Sequence, residues 1–211
     1  MAARSFTECL TEYRPHKIAL RTRPEMHDFF RTLSPEQFDA QVTVHADGSY
    51  AYSYDGVLIF VPALIQACRA GFLEAQLEAQ LKGAASHLLQ EGFRSADYLG
   101  RGRYAVVLER SRAKGESSFF PSHEIKVFSI RPRPDGTILI GGSRPSATAP
   151  CQLVGTDAEI DGRLTVTLEK GIKVLGHNAQ TKLSTLDHFG SYQWRIKSPD
   201  ADPFMIVQPT K

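Results

Sequence analysis

The chain has few cysteines and no long apolar run. Cys9, Cys68 and Cys151 are its only three cysteines, and their wide spacing excludes a disulfide framework and a zinc cassette. The longest apolar run, Val57 to Ile65, is about half the length of a bilayer span. The first residues contain no apolar segment typical of a signal peptide. These absences predict a cytoplasmic protein that makes no contact with a membrane.

Motifs of common enzymes are also missing. The seven histidines form no H-E-x-x-H pair, and His177 and His188, which lie near Asp187, are more typical of surface or hydrogen-bonded histidines than of metal ligands. Gly100-Arg101-Gly102 and Gly141-Gly142-Ser143 lack the strand–turn–helix context of a phosphate loop, and no G-x-S-x-G elbow occurs. The sequence therefore predicts no catalytic residue, metal site or cofactor.

The length of 211 residues suits a single domain, 1–211, with a sizeable core. Three sub-regions are predicted within it: a helical lobe over 1–41, a sheet with a helix over 42–144, and a β-rich part over 151–211. The two prolines and small residues of 143–150 indicate an extended connection before the third sub-region.

A short helix is predicted over residues 35–41. Ser34-Pro35-Glu36-Gln37 offers an N-cap, a proline at the first helical position and a glutamine at the third. A turn around Glu25–Arg31 is expected to pack against this helix through Phe29 and Phe30.

A β-hairpin is predicted around Asp47-Gly48, because both central residues of a type I′ turn need a positive φ. Val42 and Val44 alternate with polar residues before the turn, and Tyr50, Tyr52 and Tyr54 alternate after it. Three tyrosines on one face of a strand are typical of a core, with a ligand platform as the alternative. Asp55-Gly56 then leads into a buried strand over 57–61.

The main helical segment, 62–91, is predicted to break near Gly71. Val61, Ile65, Cys68 and Phe72 form one apolar stripe, whereas the stripe that begins at Leu73 lies on nearly the opposite side of a continuous helix. That second stripe consists of Leu73, Leu77, Leu81, Ala84 and Leu88. One helix should end near Ala70, and a second should run from Phe72 to about Gln90, packed on a sheet and closed by Gly92.

Further strands are predicted over 104–108 and 124–131, followed by a hairpin at Pro134-Asp135-Gly136. The polar segment between the first two strands, 110–122, should form a long, exposed and mobile loop. Strand patterns in the last part of the chain cover 164–168, 191–197 and 205–207. Together these patterns predict an α+β fold with a largely antiparallel sheet, one main helical segment that is kinked or in two pieces, a small helical N-terminal lobe and a β-rich C-terminal part. The alternation of hairpin, helix and hairpin is compatible with a split β-α-β arrangement.

Positive charge is concentrated in residues 94–144, which contain ten basic and five acidic residues in a chain whose total charge is +2. If the strands on either side of the 110–122 loop pair, the cations converge, and Phe119 and Phe120 on the loop could stack unpaired bases. The predicted nucleic-acid-binding residues are Arg94, Arg101, Arg103, Arg110, Arg112, Lys114, Phe119, Phe120, Lys126, Arg131, Arg133 and Arg144. The sequence thus predicts a non-enzymatic DNA- or RNA-binding accessory protein, which would suit one subunit of a larger assembly.

Three alternatives remain open at this point. The basic stretch could be an ordinary solvated surface, or the loop could bind a protein partner or a second copy of the chain in a structural or assembly role. A Mg²⁺-dependent nuclease would use Glu124 and Lys126 of an E-x-K tripeptide together with Asp97 and Glu91. That spacing is only loosely permissive, and no helix is predicted after the E-x-K strand.

Overall fold

The computed structural model describes residues 23–123, 125–143, 158–183, 190–198 and 201–210. In these ranges the chain forms helices α1 (Arg23–Arg31), α2 (Val61–Ala70) and α3 (Ala75–Gln90). Its strands are β1 (Leu33–Val44), β2 (Tyr50–Phe60), β3 (Ser95–Gly100), β4 (Arg103–Arg112), β5 (Ser118–Pro121), β6 (Lys126–Pro132), β7 (Ile138–Gly142), β8 (Asp161–Leu168), β9 (Lys173–His177), β10 (Thr181–Leu183), β11 (Ser191–Ile196) and β12 (Phe204–Gln208). The predicted α+β class is confirmed.

Two sheets organise the chain. The larger has seven strands in the order β10-β11-β8-β1-β2-β4-β3, and the smaller has five in the order β5-β6-β7-β12-β9. Neighbouring strands are antiparallel except β1 and β8, which are parallel. The segment from β2 through α2 and α3 to β3 brings β3 back parallel to β2 with β4 between them, so the split β-α-β arrangement is present.

The predicted helix over 35–41 is wrong, because these residues belong to β1. The alternation of apolar and polar residues determines the structure here. Phe38, Ala40, Val42 and Val44 are all buried on one face, and the strands on both sides of β1 pair with it in the register that keeps this face inward. The capping pattern instead marks a break in register between Pro35 and Phe38. Local helix propensity was overridden by strand pairing on both sides.

The hairpin at Asp47-Gly48 is confirmed, although its turn is not type I′. Gly48 has a φ of 89°, its N–H donates to the His45 carbonyl at 2.9 Å, and no other residue of this turn has a positive φ. Asp47 accepts hydrogen bonds from the backbone N–H and hydroxyl of Ser49. The expectation that the three tyrosines form core is also confirmed, since each is at most 3% exposed.

The second Asp-Gly pair lies inside β2 instead of at a turn. Gly56 and Gly162 flank Phe38 on the two neighbouring strands, and a Cβ on either glycine would overlap the Phe38 side chain. The two glycines therefore make room for a buried aromatic ring at the centre of the larger sheet.

The predicted interruption of the helical segment is confirmed. α2 ends at Ala70, and its C-cap Gly71 has a φ of 79° in the left-handed conformation. α3 begins three residues later than predicted, at Ala75. Leu77, Leu81 and Leu88 are buried, as the second stripe requires. The first stripe is only half right, because Phe72 is 66% exposed.

One face of the larger sheet carries the core, and two layers share it. Over β2 and β4, the Phe29 ring of α1 lies 5.1 Å from that of Phe60, and the Tyr104 hydroxyl donates to the Leu81 carbonyl of α3 at 2.8 Å. Over β1 and the start of β2, the smaller sheet takes the place of the helices. There the Phe120 ring lies 5.0 Å from that of Tyr52.

The predicted 110–122 loop is shorter than expected. β4 runs to Arg112 and β5 begins at Ser118, which leaves only residues 113–117 as a connection. Phe120 is fully buried, because β5 is an edge strand of the smaller sheet and turns this side chain into the core between the two sheets. The prediction of a long exposed loop is wrong, because burial of the Phe120 ring and pairing of β5 with β6 outweigh the polar composition of the segment.

The last part of the chain contributes to both sheets, and its predicted strands are confirmed as β8, β11 and β12. Asn178, which follows β9, ties the two sheets together. Its side-chain oxygen accepts from Trp194 Nε1 of β11 at 2.7 Å and from the backbone N–H of Phe204 at 2.8 Å. The connection predicted over 143–150 lies outside the described residues from 144 onward. Across the described ranges, no helix combines the length and apolar character needed to cross a membrane.

Candidate nucleic-acid interface

The strands that flank the predicted loop do not pair with each other. β4 lies between β2 and β3 in the larger sheet, whereas β6 lies between β5 and β7 in the smaller one. The convergence expected from direct pairing is therefore wrong. The eleven predicted residues that the structure describes are instead divided among the connection before β3, the two ends of β4 and the smaller sheet.

At the start of β4, the cations serve the fold. Arg103 donates from Nε and Nη2 to the Glu36 carboxylate at 3.0 Å, and the side chains of the pair are only 18% and 12% exposed. Arg101 occupies the tight turn between β3 and β4 with a φ of 52°. Arg103 is thus already bound in the geometry that it would need for a phosphate group.

Two further arginines are bound along the edge of the larger sheet. Arg94 pairs with Glu109 at 3.1 Å on an exposed surface. Arg110 donates from Nη2 to the Glu91 carbonyl, near the end of α3. Both contacts hold the connection from α3 to β3 against β4.

Arg112 lies where β4 ends. Its Nε donates to the Ser118 hydroxyl at 3.1 Å, and the Glu116 carboxylate lies 3.9 Å from the same nitrogen. The side chain is about one-third exposed. Arg112 therefore joins the two sheets and still presents part of its guanidinium group to solvent.

The aromatic pair separates into one core residue and one surface residue. Phe120 is buried against Tyr52 and Phe128, so it cannot stack a base. Phe119 points to the opposite face of the smaller sheet, where it is half-buried, and the Lys126 Nζ lies 4.9 Å from its ring centroid. Phe119 alone remains available as a stacking surface.

Four turns meet at one end of the two-sheet body, which we call the loop end and define as residues 45–49, 113–117, 133–136 and 169–172. The register aligns Val44, Tyr50, Arg112 and Leu168 at this end of the larger sheet. In the smaller sheet, Ser118 pairs with Ile130, so β6 continues toward the same end. The Tyr50 hydroxyl donates to the Glu116 carbonyl at 2.8 Å and fixes the two layers there.

Exposed cations surround the loop end. Lys114 packs its aliphatic stem beside Gly48, and Arg131 and Arg133 project from the end of β6 and the turn after it. Within the described part of the chain, no carboxylate lies within ion-pairing distance of these three side chains. The six cations of this region are Arg112, Lys114, Arg131, Arg133, Lys170 and Lys173.

Four carboxylates accompany these cations, namely Asp47, Glu116, Asp135 and Glu169. Hydrogen bonds hold all of them except Glu116. Hydrogen bonds from Ser49 lower the pKa of Asp47, and hydrogen bonds from Thr137 lower the pKa of Asp135. The hydrogen bond with His45 is the largest cause of the lowered pKa of Glu169. The lowered pKa values keep Asp47, Asp135 and Glu169 ionised at neutral pH. With six cations and four carboxylates, the loop end has a small excess of positive charge.

Lys170 and Lys173 were missed by the sequence interpretation. They join the other cations because β8 runs parallel to β1 and ends beside Val44, and because β9 begins near the end of β12. Neither contact leaves a local sequence signal. Arg144 lies outside the described residues.

The fold does not bring together Asp97 and Lys126, two of the residues that the nuclease alternative requires. Asp97 lies on β3 of the larger sheet, and Lys126 lies on β6 of the smaller one, so the two side chains are not on neighbouring strands. Glu124 lies outside the described residues. In the described ranges, no group of three or more His, Cys, Asp or Glu side chains could hold a metal ion.

No protein-family model matches the chain, and no curated protein sequence matches it significantly. Among solved structures, it is similar to the folded domain of the LppM protein of Mycobacterium tuberculosis, with 11% identity and a TM-score of 0.39 over 83% of this chain and 91% of that one. It is also similar to an M1 zinc metallopeptidase of Deinococcus radiodurans, with 11% identity and a TM-score of 0.32. That match covers 85% of this chain and 43% of the peptidase.

Proposed function

We propose that the protein is a non-enzymatic nucleic-acid-binding accessory protein whose phosphate-binding surface is the loop end. The observation that carries this proposal is that Lys114, Arg131 and Arg133 lie at one end of the molecule and that no carboxylate of the described ranges lies within ion-pairing distance of them. These residues come from turns and strand ends of both sheets, so their spacing is held by the rigid body beneath them.

The chemistry of this surface suits a phosphate backbone better than a particular base sequence. Arginine offers a planar fork of donors to phosphate oxygens, and lysine adds a flexible point charge. At the loop end itself, none of the described Phe, Tyr or Trp side chains is exposed to stack on a base. Phe119 is the exception nearby, because it shares the outer face of the smaller sheet with Arg131.

The expected affinity is modest. Six cations accompany four carboxylates, so the surface is weakly basic, and sequence-independent binding of this kind typically has a dissociation constant of about 10⁻⁴ to 10⁻⁶ M at physiological salt. Such binding would suit a subunit that is positioned on nucleic acid by a larger assembly.

Binding can be tested by fluorescence anisotropy with single-stranded DNA, duplex DNA and RNA at salt concentrations of about 50 to 200 mM. We expect the triple variant Lys114→Glu, Arg131→Glu, Arg133→Glu to reduce the slope of log K against log salt by about 2 to 3, because each cation contacts about one phosphate. The fold should be retained, since the three side chains are exposed.

A matched control reverses Lys82, Lys182 and Lys197, three exposed lysines away from the loop end. This control should leave the salt slope unchanged. Equal losses in the two triple variants, or no salt-sensitive binding by the unmodified protein, would contradict the proposal. A role in assembly with another protein would then replace it.

A further inference from the structure

The outer face of the larger sheet is built from short, uncharged side chains. The α-helices and the smaller sheet pack on its inner face, and the outward residues in the middle of the sheet are half-buried or exposed. Register places nine of them in two rows that cross the five strands β10, β11, β8, β1 and β2: Gln41, Thr43, Ala51, Ser53, Thr165, Thr167, Thr181, Ser191 and Gln193. On β4 the row through Ser53 ends in Glu109, which is paired with Arg94. None of the nine is Lys, Arg, Asp or Glu, in a chain that is 23% charged.

A third row beside these two is charged, and its signs are segregated. Crossing β11, β8, β1 and β2, it reads Arg195, Arg163, Asp39, Asp55, with each residue directly opposite the next. Like charges therefore stand side by side in both halves of the row, which destabilises an isolated sheet.

Contacts inside the chain relieve this repulsion only in part. The Arg163 Nε donates to Asp39 Oδ2 at 3.0 Å, and Arg195 Nη2 donates to Asp161 Oδ2 at 2.8 Å. Asp55 is exposed, and within the described ranges no cation lies within ion-pairing distance of it. The row thus ends in an uncompensated carboxylate beside a second carboxylate.

We propose that a second copy of the chain docks on this face about a two-fold axis that runs parallel to the strands, between β1 and β8. This axis reverses the order of the row in the partner. Arg163 then faces the partner's Asp39, and Arg195 faces the partner's Asp55. An axis perpendicular to the strands would instead set like charges against each other, so the charge order selects one geometry.

The neutral rows match under the same axis. Thr165 faces the partner's Gln41, and Ser53 faces the partner's Gln193, which allows hydroxyl–amide hydrogen bonds between copies. Depletion of long charged side chains at the centre of a surface is typical of interfaces. The five strands and three rows span about 24 by 20 Å, or roughly 480 Å² per copy, which is the size of a weak, transient interface.

This geometry also bears on the proposed function. A two-fold axis parallel to the strands leaves both loop ends pointing the same way, so the dimer would present two phosphate-binding surfaces side by side. That consequence rests on the proposed function, whereas the dimer itself does not.

Sedimentation equilibrium without nucleic acid tests the dimer separately. For so small and polar an interface we expect a dissociation constant of roughly 1 to 100 µM, which rises with salt. Asp55→Arg and Arg195→Asp should each raise the dissociation constant at least about tenfold, and the double variant should return to within about threefold of the unmodified protein, because the swapped charges again face each other.

Thr165→Arg provides a second test, because it places a long cation near the axis and should abolish dimerisation. The melting temperature of the protein should change little, since the substituted side chain lies on the outer face of the sheet. Lys82→Glu on α3 is the matched control and should dimerise normally. A protein that is monomeric at all concentrations up to about 500 µM would overturn the proposal. So would a dimer that is unaffected by all three variants at the face, or a double charge swap that fails to restore affinity.

Discussion

The two faces of the larger sheet contrast sharply although they share the same strands. On the inner face, Tyr54, Tyr104 and Leu108 are fully buried beneath the helices and the smaller sheet. On the outer face, their sequence neighbours Ser53, Ala105 and Val107 are partly exposed. Because side chains alternate along a strand, apolar residues at every second position determine which face of the sheet is buried. It does not reveal which layer covers that face.

Edge strands show a second contrast with the strands at the centre of the two sheets. β10 has only three residues with Lys182 in the middle, β9 is bulged near Gly176, and β5 ends in Pro121 at a break in register. β3 is irregular near Gly100. Short, bulged or proline-containing edges resist pairing with other chains, so the edges of the two sheets are poor sites for strand pairing with another molecule.

The largest effect should come from truncation on the inner face. Leu108→Ala removes a fully buried side chain and should destabilise the protein by about 2 to 5 kcal/mol, through lost burial and the cavity left behind. The adjacent outer residue offers a matched change: Val107→Ala should cost less than about 1 kcal/mol. Urea denaturation measures both values. Similar losses at the two positions would mean that the outer face is covered in solution.

How far the sequence could predict this contrast depends on the range of the interaction. Gly71 was readable, because two apolar stripes in different phase cannot share one straight helix. The strand at 164–168 was also predictable, because its apolar residues alternate with polar ones. Phe38 was not, since its place between Gly56 and Gly162 requires two strands that are far apart in sequence. Ser34–Gln37 misled because its capping signature is local, whereas the competing β1 pairing with β8 spans over a hundred residues.

The sequence could show where basic residues are concentrated, but it could not show which of them lie together on the surface of the folded protein. Lys114, Arg131 and Arg133 were identified from composition, and they do lie at one end of the molecule. Arg103 was included for the same reason, yet its bond with Glu36 depends on the register of β1 against β2 and β4. Charge counting along a chain cannot distinguish a cation that holds the fold from one that is left exposed.

Two ion pairs on the larger sheet should differ in strength because their exposure differs. The Arg103–Glu36 side chains are 18% and 12% exposed, whereas those of Arg94–Glu109 are 71% and 61% exposed. Arg103→Ala leaves a mostly buried carboxylate without its donors and should cost about 2 kcal/mol. Arg94→Ala should cost less than about 1 kcal/mol. The free energies of unfolding of the two variants compare the pairs directly. Equal costs would show that solvent reaches Glu36.

The smallest expected effect is a loss of stability at acid pH. No Asp or Glu is buried in the described core, so the carboxylates that contribute to this effect lie at the ends and on the outer surface of the sheet. Glu169 closes the junction of β1 and β8: its Oε1 lies 2.6 Å from His45 Nδ1, and its Oε2 accepts from the Ala46 N–H at 3.0 Å. These hydrogen bonds, that with His45 first, hold the pKa of Glu169 below its ordinary value of 4.5.

A carboxyl group whose pKa is lower in the folded state contributes stability above its unfolded pKa, and that contribution is lost as the pH falls through the folded pKa. Stability should therefore decline below pH 4.5, and Glu169→Gln should make the decline shallower, because the amide keeps an acceptor for Ala46 but does not titrate. Glu159→Gln, at an exposed position, should leave the decline unchanged. Melting temperatures recorded from neutral pH down to acid for the three proteins measure the difference. A decline that is identical in all three would mean that the His45–Glu169 contact does not persist in solution, and that the β1–β8 junction depends on its backbone pairing alone.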